Sequence, residues 1–215
     1  MIRLRTHFPL VSLFALAVLG ACTTMEAGPP PLLDLGAREC SASVDLARAV
    51  PVPFDPKGTA EPALVPLDAA SPCVARPGAK PSVYAVFALP AGDVPYFLSI
   101  ASLPVGGALF PPSAELLDAS GSVLRAVDSK AFLFRGNALT AQIRSHEGER
   151  YLLVQSVSEL VGTTVSRTGV ATSGSTVSTG NGGFVSMYSG SDVTTTLTFS
   201  LNGRLAVSAT RAKLD

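Results

Sequence analysis

The chain has no tryptophan, two histidines, three cysteines, and no proline after Pro112. Each scarcity narrows the chemistry. A serine or cysteine nucleophile needs an imidazole beside it. His7 lies in an N-terminal leader expected to be removed, so such an arrangement would have to run through His146, in a polar turn with Glu147 and Glu149. No G-x-S-x-G elbow accompanies it. The two glutamates stand too near His146 in sequence to converge easily on one metal ion, so a solvated turn is expected. Gly180-Asn181-Gly182-Gly183 does not complete a G-x-G-x-x-G, and no Walker lysine follows any glycine run, which disfavours nucleotides. Asp93, Asp118 and Asp128 read as turn formers, although carboxylate pairs for glycoside hydrolysis are assembled by the fold and not by spacing. The expectation is a protein without catalytic residues, metal or cofactor.

Charge is equally unhelpful to whole classes of partner. Sixteen basic and sixteen acidic residues balance, with no basic patch to suggest nucleic acid. Beyond the N-terminus no segment nears the ~18 apolar residues of a spanning helix.

The N-terminus itself is informative. Arg3 and Arg5 precede an apolar run from Phe8 to Leu19, and small residues lead to Cys22. Basic start, apolar core and small residues before a cut describe a secretory signal peptide. Leu19-Gly20-Ala21-Cys22 resembles a bacterial lipobox. That resemblance implies cleavage before Cys22, acylation of its thiol and new amine, and a membrane anchor made of lipid alone. Thr23 stands where an aspartate would signal inner-membrane retention, so the resemblance implies a periplasmic protein anchored to the outer membrane, with surface exposure left open. Removing residues 1–21 takes the chain from 215 to 194 residues and its basic residues from 16 to 14 against 16 acidic. That length fits one domain with a tail.

With Cys22 assigned to lipid, Cys40 and Cys73 remain. Two thiols in an oxidising compartment read as one disulfide. The rivals, a metal pair or a reactive thiol, want more ligands or a partnered histidine.

Proline divides the molecule, with eleven of the 17 between Pro29 and Pro81. Lacking an amide donor, proline excludes helix and central strand from that stretch. Residues 22–80 are therefore expected as a lipid-anchored tether and an irregular, partly extended segment pinned by the disulfide. One helical turn is allowed at Ser43-Val44-Asp45-Leu46-Ala47.

From Ser82 the pattern becomes short apolar runs, many alternating. Val83, Ala85, Phe87 and Leu89 fall on one strand face, with Tyr84 and Val86 on the other. Further strands are expected at 96–103, 114–117, 123–127, 131–134, 139–143 and 151–157. Gly- and Asp-bearing turns separate them. Residues 162–194 are dominated by Gly, Ser and Thr and read as a mobile loop or a long hairpin tip. Strands at 195–201 and 204–207 would close as a hairpin on Asn202-Gly203. The fold expected for residues 81–210 is an all-β, antiparallel, jelly-roll-like sandwich, preceded by the proline-rich extended segment.

Tyr84, Tyr96 and Tyr151 sit in strand patterns, where a core or rim role is the default. Phe184 and Tyr188 lie in the Gly/Ser/Thr segment as the aromatics expected to be exposed, for contact with a ligand or partner or as loop anchors.

Residues 83–167 resemble the maltose operon periplasmic protein family. The motifs are YAVFALPAGDVPYFLSIASL, then Phe110-Pro111-Pro112 with Leu116-Leu117-Asp118, then Tyr151-Leu152-Leu153-Val154 ahead of a threonine-bearing exit. The strand from Gly148 to Val157 is also similar to pre-peptidase C-terminal β-sandwich domains. The resemblance implies an envelope protein associated with maltose or maltodextrin uptake, without catalytic residues to carry over. Three functional expectations follow: an accessory that binds an envelope protein partner, a module that captures oligosaccharide directly, and a structural partner of an outer-membrane assembly.

Overall fold

The computed structural model describes residues 35, 38–57, 59–68, 70–91, 95–179 and 183–211. The leader, Cys22 and Asp93 lie outside the described residues. Fifteen strands run through them in chain order. They are β1 (Val50–Pro51), β2 (Phe54–Asp55), β3 (Ala63–Leu67), β4 (Cys73–Val74), β5 (Ser82–Ala88), β6 (Tyr96–Leu103), β7 (Ala108–Leu109), β8 (Pro112–Leu117), β9 (Val123–Val127), β10 (Leu133–Arg135), β11 (Ala138–Arg144), β12 (Tyr151–Ser156), β13 (Thr164–Ser178), β14 (Phe184–Phe199) and β15 (Gly203–Arg211).

The protein is an all-β sandwich. One sheet is ordered β1-β5-β12-β8-β9 with β4 also on β5, its partner is β10-β11-β6-β15-β2 with β3 also on β15, and β13-β14-β7 form a third. Most pairs are antiparallel, with short parallel pairs at β1–β5, β2–β15 and β7–β14. The alternation in β5 explains the layering. Val83, Ala85, Phe87 and Leu89 face the shared core with Leu98, Ile100, Leu116, Leu152 and Leu205. Tyr84 and Val86 face outward into a second cluster with Val74, Leu117 and Leu153. A strand apolar on both faces needs cover on both. Val44, Leu46 and Ala49 supply the outer cover. Asp45 caps the short 3₁₀ turn Leu46–Arg48 with its side chain, and its amide donates to the buried Tyr84 hydroxyl at 3.0 Å.

The proline-rich segment runs extended and does more than precede the sandwich. Its strands β1 and β4 share the free edge of β5, and β2 and β3 share that of β15. It therefore contributes edge strands to both sheets, the positions where proline's missing donor costs least. Cys40 and Cys73 form a disulfide with Cα atoms 4.9 Å apart. It fixes the start of this segment to β4. Closing a loop of that separation stabilises by ~3–4 kcal/mol in the chain-entropy model.

Asn202-Gly203 does not turn a hairpin. β14 and β15 lie in different sheets, and Gly203 is not in the left-handed conformation. The glycine serves a close approach instead: a Cβ there would sit 2.7 Å from Cβ of the fully buried Phe110. The expected strand at 131–134 also begins later, because Asp128 caps a 3₁₀ turn at Ser129–Ala131 before β10.

Candidate functional site

The Gly/Ser/Thr-rich segment is regular. β13 and β14 pair antiparallel from Thr164↔Thr198 to Ser178↔Phe184. Near the tip the Thr179 amide and hydroxyl both donate to the Gly183 carbonyl at 2.9 Å. At the root, Leu197 is buried, and Val165 and Phe199 pack on the sandwich core. Arg167 donates through Nη1 to the Gly136 carbonyl at 2.8 Å, tying the root to the β10–β11 turn. Beyond Arg167 and Thr195 the hairpin leaves the body. Every residue from Phe184 to Thr194 is exposed.

Residues two apart share a strand face, and directly paired residues share it across the hairpin. The register therefore sorts this arm into two faces. One carries the pairs Gly169↔Val193, Ser173↔Ser189, Ser175↔Met187 and Val177↔Val185. The other carries Thr168↔Thr194, Thr172↔Gly190, Gly174↔Tyr188, Thr176↔Ser186 and Ser178↔Phe184, with Asp192. Hydroxyl pairs stitch the strands: Ser166–Thr196 at 3.2 Å, Ser173–Ser189 at 2.7 Å and Thr176–Ser186 at 3.0 Å. Tyr188 lies across the strand against Gly174, where a Cβ would meet the ring at 3.0 Å. Phe184 and Tyr188, named from sequence, are 74% and 77% exposed. Val177, Val185, Met187 and Val193 are exposed on the opposite face, and sequence reasoning passed over them. Their signal was weak: Val185 and Met187 alternate, but Val177 and Val193 stand alone among Gly, Ser, Thr and Asp.

The remaining candidates are occupied by structural tasks. His146 and Glu147 are exposed in their turn. Glu149 is buried and spent: Oε1 accepts from Arg125 Nε and Nη2 at 3.1 and 2.8 Å, and Oε2 accepts from the His146 amide at 2.8 Å. Asp118 accepts from the amides of Ser120 and Ser122 and from the Ser120 hydroxyl, which holds its carboxyl below the usual range. Asp128 caps its 3₁₀ turn. Tyr84 and Tyr96 are buried, and burial pushes the Tyr96 phenol up. Among the described residues, no three His, Cys, Asp or Glu side chains are placed to hold a metal ion.

A cleft of about 240 Å³ lies between the N-terminal segment and the outer face of the first sheet, lined by Val44, Leu46, Val74 and Leu153 with Arg76 and Glu115. Arg76 donates to both Glu115 oxygens, at 2.9 and 2.8 Å, and Gln155 donates to one of them at 3.1 Å. The Arg76 hydrogen bonds hold Glu115 below its ordinary value and raise Arg76. The two charges satisfy each other, so neither is offered to a ligand. The arm is thus the surface with the most uncommitted contact capacity among the described residues.

No protein-family model matches the chain, and comparison with curated proteins and with solved structures finds no match.

Proposed function

We propose that this chain is a lipid-anchored accessory protein of the bacterial envelope that works by binding, with the arm as its contact surface. One observation carries the reading. A bilaterally exposed hairpin presents Val177, Val185, Met187 and Val193 on one face and Phe184 and Tyr188 on the other. Exposed apolar groups gathered on one element mark a surface that something else covers. Acylation at Cys22 would hold the body beside the outer membrane, and the maltose-operon resemblance would make the assembly it serves one of carbohydrate uptake. Truncating the arm, with residues 168–194 replaced by Asn-Gly, tests this in cells. The expected result is an intact body and loss of crosslinks made by the full chain. Unchanged crosslinks would contradict it.

A second reading, direct capture of oligosaccharide, rests on Phe184 and Tyr188 sharing one face. Four residues apart, they stand roughly 13 Å from each other along the strand. Calorimetric titration with maltodextrins decides it: saturable binding lost in Tyr188→Ala supports it, and flat traces at millimolar sugar end it.

A further inference from the structure

The arm has dimensions and chemistry that contact with a soluble partner does not require. We propose that it is a membrane-crossing hairpin, and that the arms of several copies of this chain close into one β-barrel through a lipid bilayer. This rests on the reading above that the arm is the working surface, and it names what the arm meets: lipid, and other copies of itself.

Length is the first argument. The paired stretches beyond the root are Thr168–Ser178 and Phe184–Thr194, eleven residues each. At about 3.3 Å per residue and a tilt near 45°, each reaches about 26 Å, against an apolar band of about 25 Å in outer-membrane barrels. Spanning strands are about 9–11 residues long.

Charge is the second. Asp192 is the sole charged residue between Thr168 and Thr194. It lies on the threonine face, not on the face bearing Val177, Val185, Met187 and Val193. A hairpin that meets lipid on one side keeps charge off that side; the opposite face carries Asp192 and the threonines together with Phe184 and Tyr188. Of the four serines on the apolar face, Ser173 and Ser189 bond each other at 2.7 Å, which limits the polar capacity those two offer to lipid. On this face apolar side chains recur at Val193, Met187, Val185 and Val177, past the root where Val165 and Leu197 touch the body. Packing on the body does not account for them.

Unpaired edges supply the third. Among the described residues, β13 pairs only with β14, and β14 meets β7 only at Thr198 and Phe199. Among the described residues, nothing pairs with either outer edge beyond the root. In hydrocarbon every backbone donor and acceptor must be paired, so one hairpin cannot cross alone. The β13 edge of one copy and the β14 edge of the next can pair head to tail, and closure of such a ring leaves no edge. The smallest spanning barrels have about 8 strands, so two strands per chain set a floor of about four copies. The threonine face then lines the lumen, with one Asp192 from each copy forming an acidic ring that favours cations.

The test uses the full acylated chain, purified in detergent. It is added to phosphatidylethanolamine–phosphatidylglycerol vesicles loaded with self-quenching dye, and to planar bilayers of the same lipids. The expected result is dye release, discrete conductance steps with cation preference, and crosslinked species of four or more copies. Val193→Lys and Met187→Lys, on the apolar face, should each cut release at least about tenfold, while Thr172→Lys and Thr194→Lys, on the other face, should retain it. Asp192→Asn should shift the reversal potential in a salt gradient toward zero. The proposal is overturned if the full chain leaves vesicles sealed, if lysine acts equally on both faces, or if the arm-truncated chain releases dye as well. Sealed vesicles together with arm-dependent crosslinks in cells would end the barrel and leave the contact reading standing.

Discussion

The body and the arm are built from the same kind of strand and held together by different forces. β5 is buried along almost its whole length, between a core on one side and the N-terminal cover on the other. β14 is more than twice as long and exposes every residue from Phe184 to Thr194. Burial of apolar area, at about 25 cal/mol per Å², stabilises the first. Along Phe184–Thr194 the second has its ladder and its hydroxyl pairs, and an isolated two-stranded hairpin is marginal in water. Strand pairing alone thus says little about what keeps a strand in place. In this molecule the body has its own core, and the arm beyond its root contributes nothing to it.

Substitutions sharpen that contrast, and the largest effects belong to the body. Phe87→Ala opens a cavity under a fully buried ring and should cost about 3–5 kcal/mol in urea unfolding. Replacing Cys40 and Cys73 together by serine should cost about 3–4 kcal/mol, read as a lower denaturation midpoint that reducing agent no longer changes. Arg125→Ala leaves the buried Glu149 carboxylate without its cation and should cost about 2–3 kcal/mol, moderated because the arginine is partly exposed.

A smaller effect belongs to the rim of the cleft. Glu115 is held below its ordinary value, chiefly by the Arg76 hydrogen bonds. A depressed carboxylate contributes stability that is present above its unfolded value, near 4.5, and is lost as pH falls through the folded one. Arg76 is exposed enough for solvent to weaken the pair, so Glu115→Gln should cost no more than about 1 kcal/mol near neutral pH. The loss of midpoint on acidification should also be shallower in the variant. The smallest expected effect lies on the arm: Tyr188→Ala should change body stability by less than about 0.5 kcal/mol while weakening arm-dependent crosslinks. A cost above 2 kcal/mol would mean that arm and body are one cooperative unit.

These two regions also differed in how well the chain displayed them. In the body, the alternation of Val83, Ala85, Phe87 and Leu89 against Tyr84 and Val86 assigned both faces of β5 correctly, and β6 occupies the expected residues 96–103. The disulfide followed from counting thiols once Cys22 was set aside. The proline-rich stretch hid its strands because β1, β2 and β4 are two residues long, and only the edges of β5 and β15 make them strands. Asn202-Gly203 carries hairpin chemistry, but the glycine answers to Phe110. In the arm, composition obscured pattern. Glycine, serine and threonine lower the apolar contrast on which periodicity depends, so Val177, Val185, Met187 and Val193 acquire a common face only through the register. Phe184 and Tyr188 were visible in advance because aromatic rings stand out in any background.

Hydrogen exchange on the mature chain tests the division most directly. Amides of β5, β8 and β12 should exchange only through global unfolding, whereas amides of 168–178 and 184–194 should exchange orders of magnitude faster in water. Bound to vesicles, the arm should become protected while the body stays as it was. Protection of the arm in water equal to that of β5 would contradict the claim that the arm depends on what it meets.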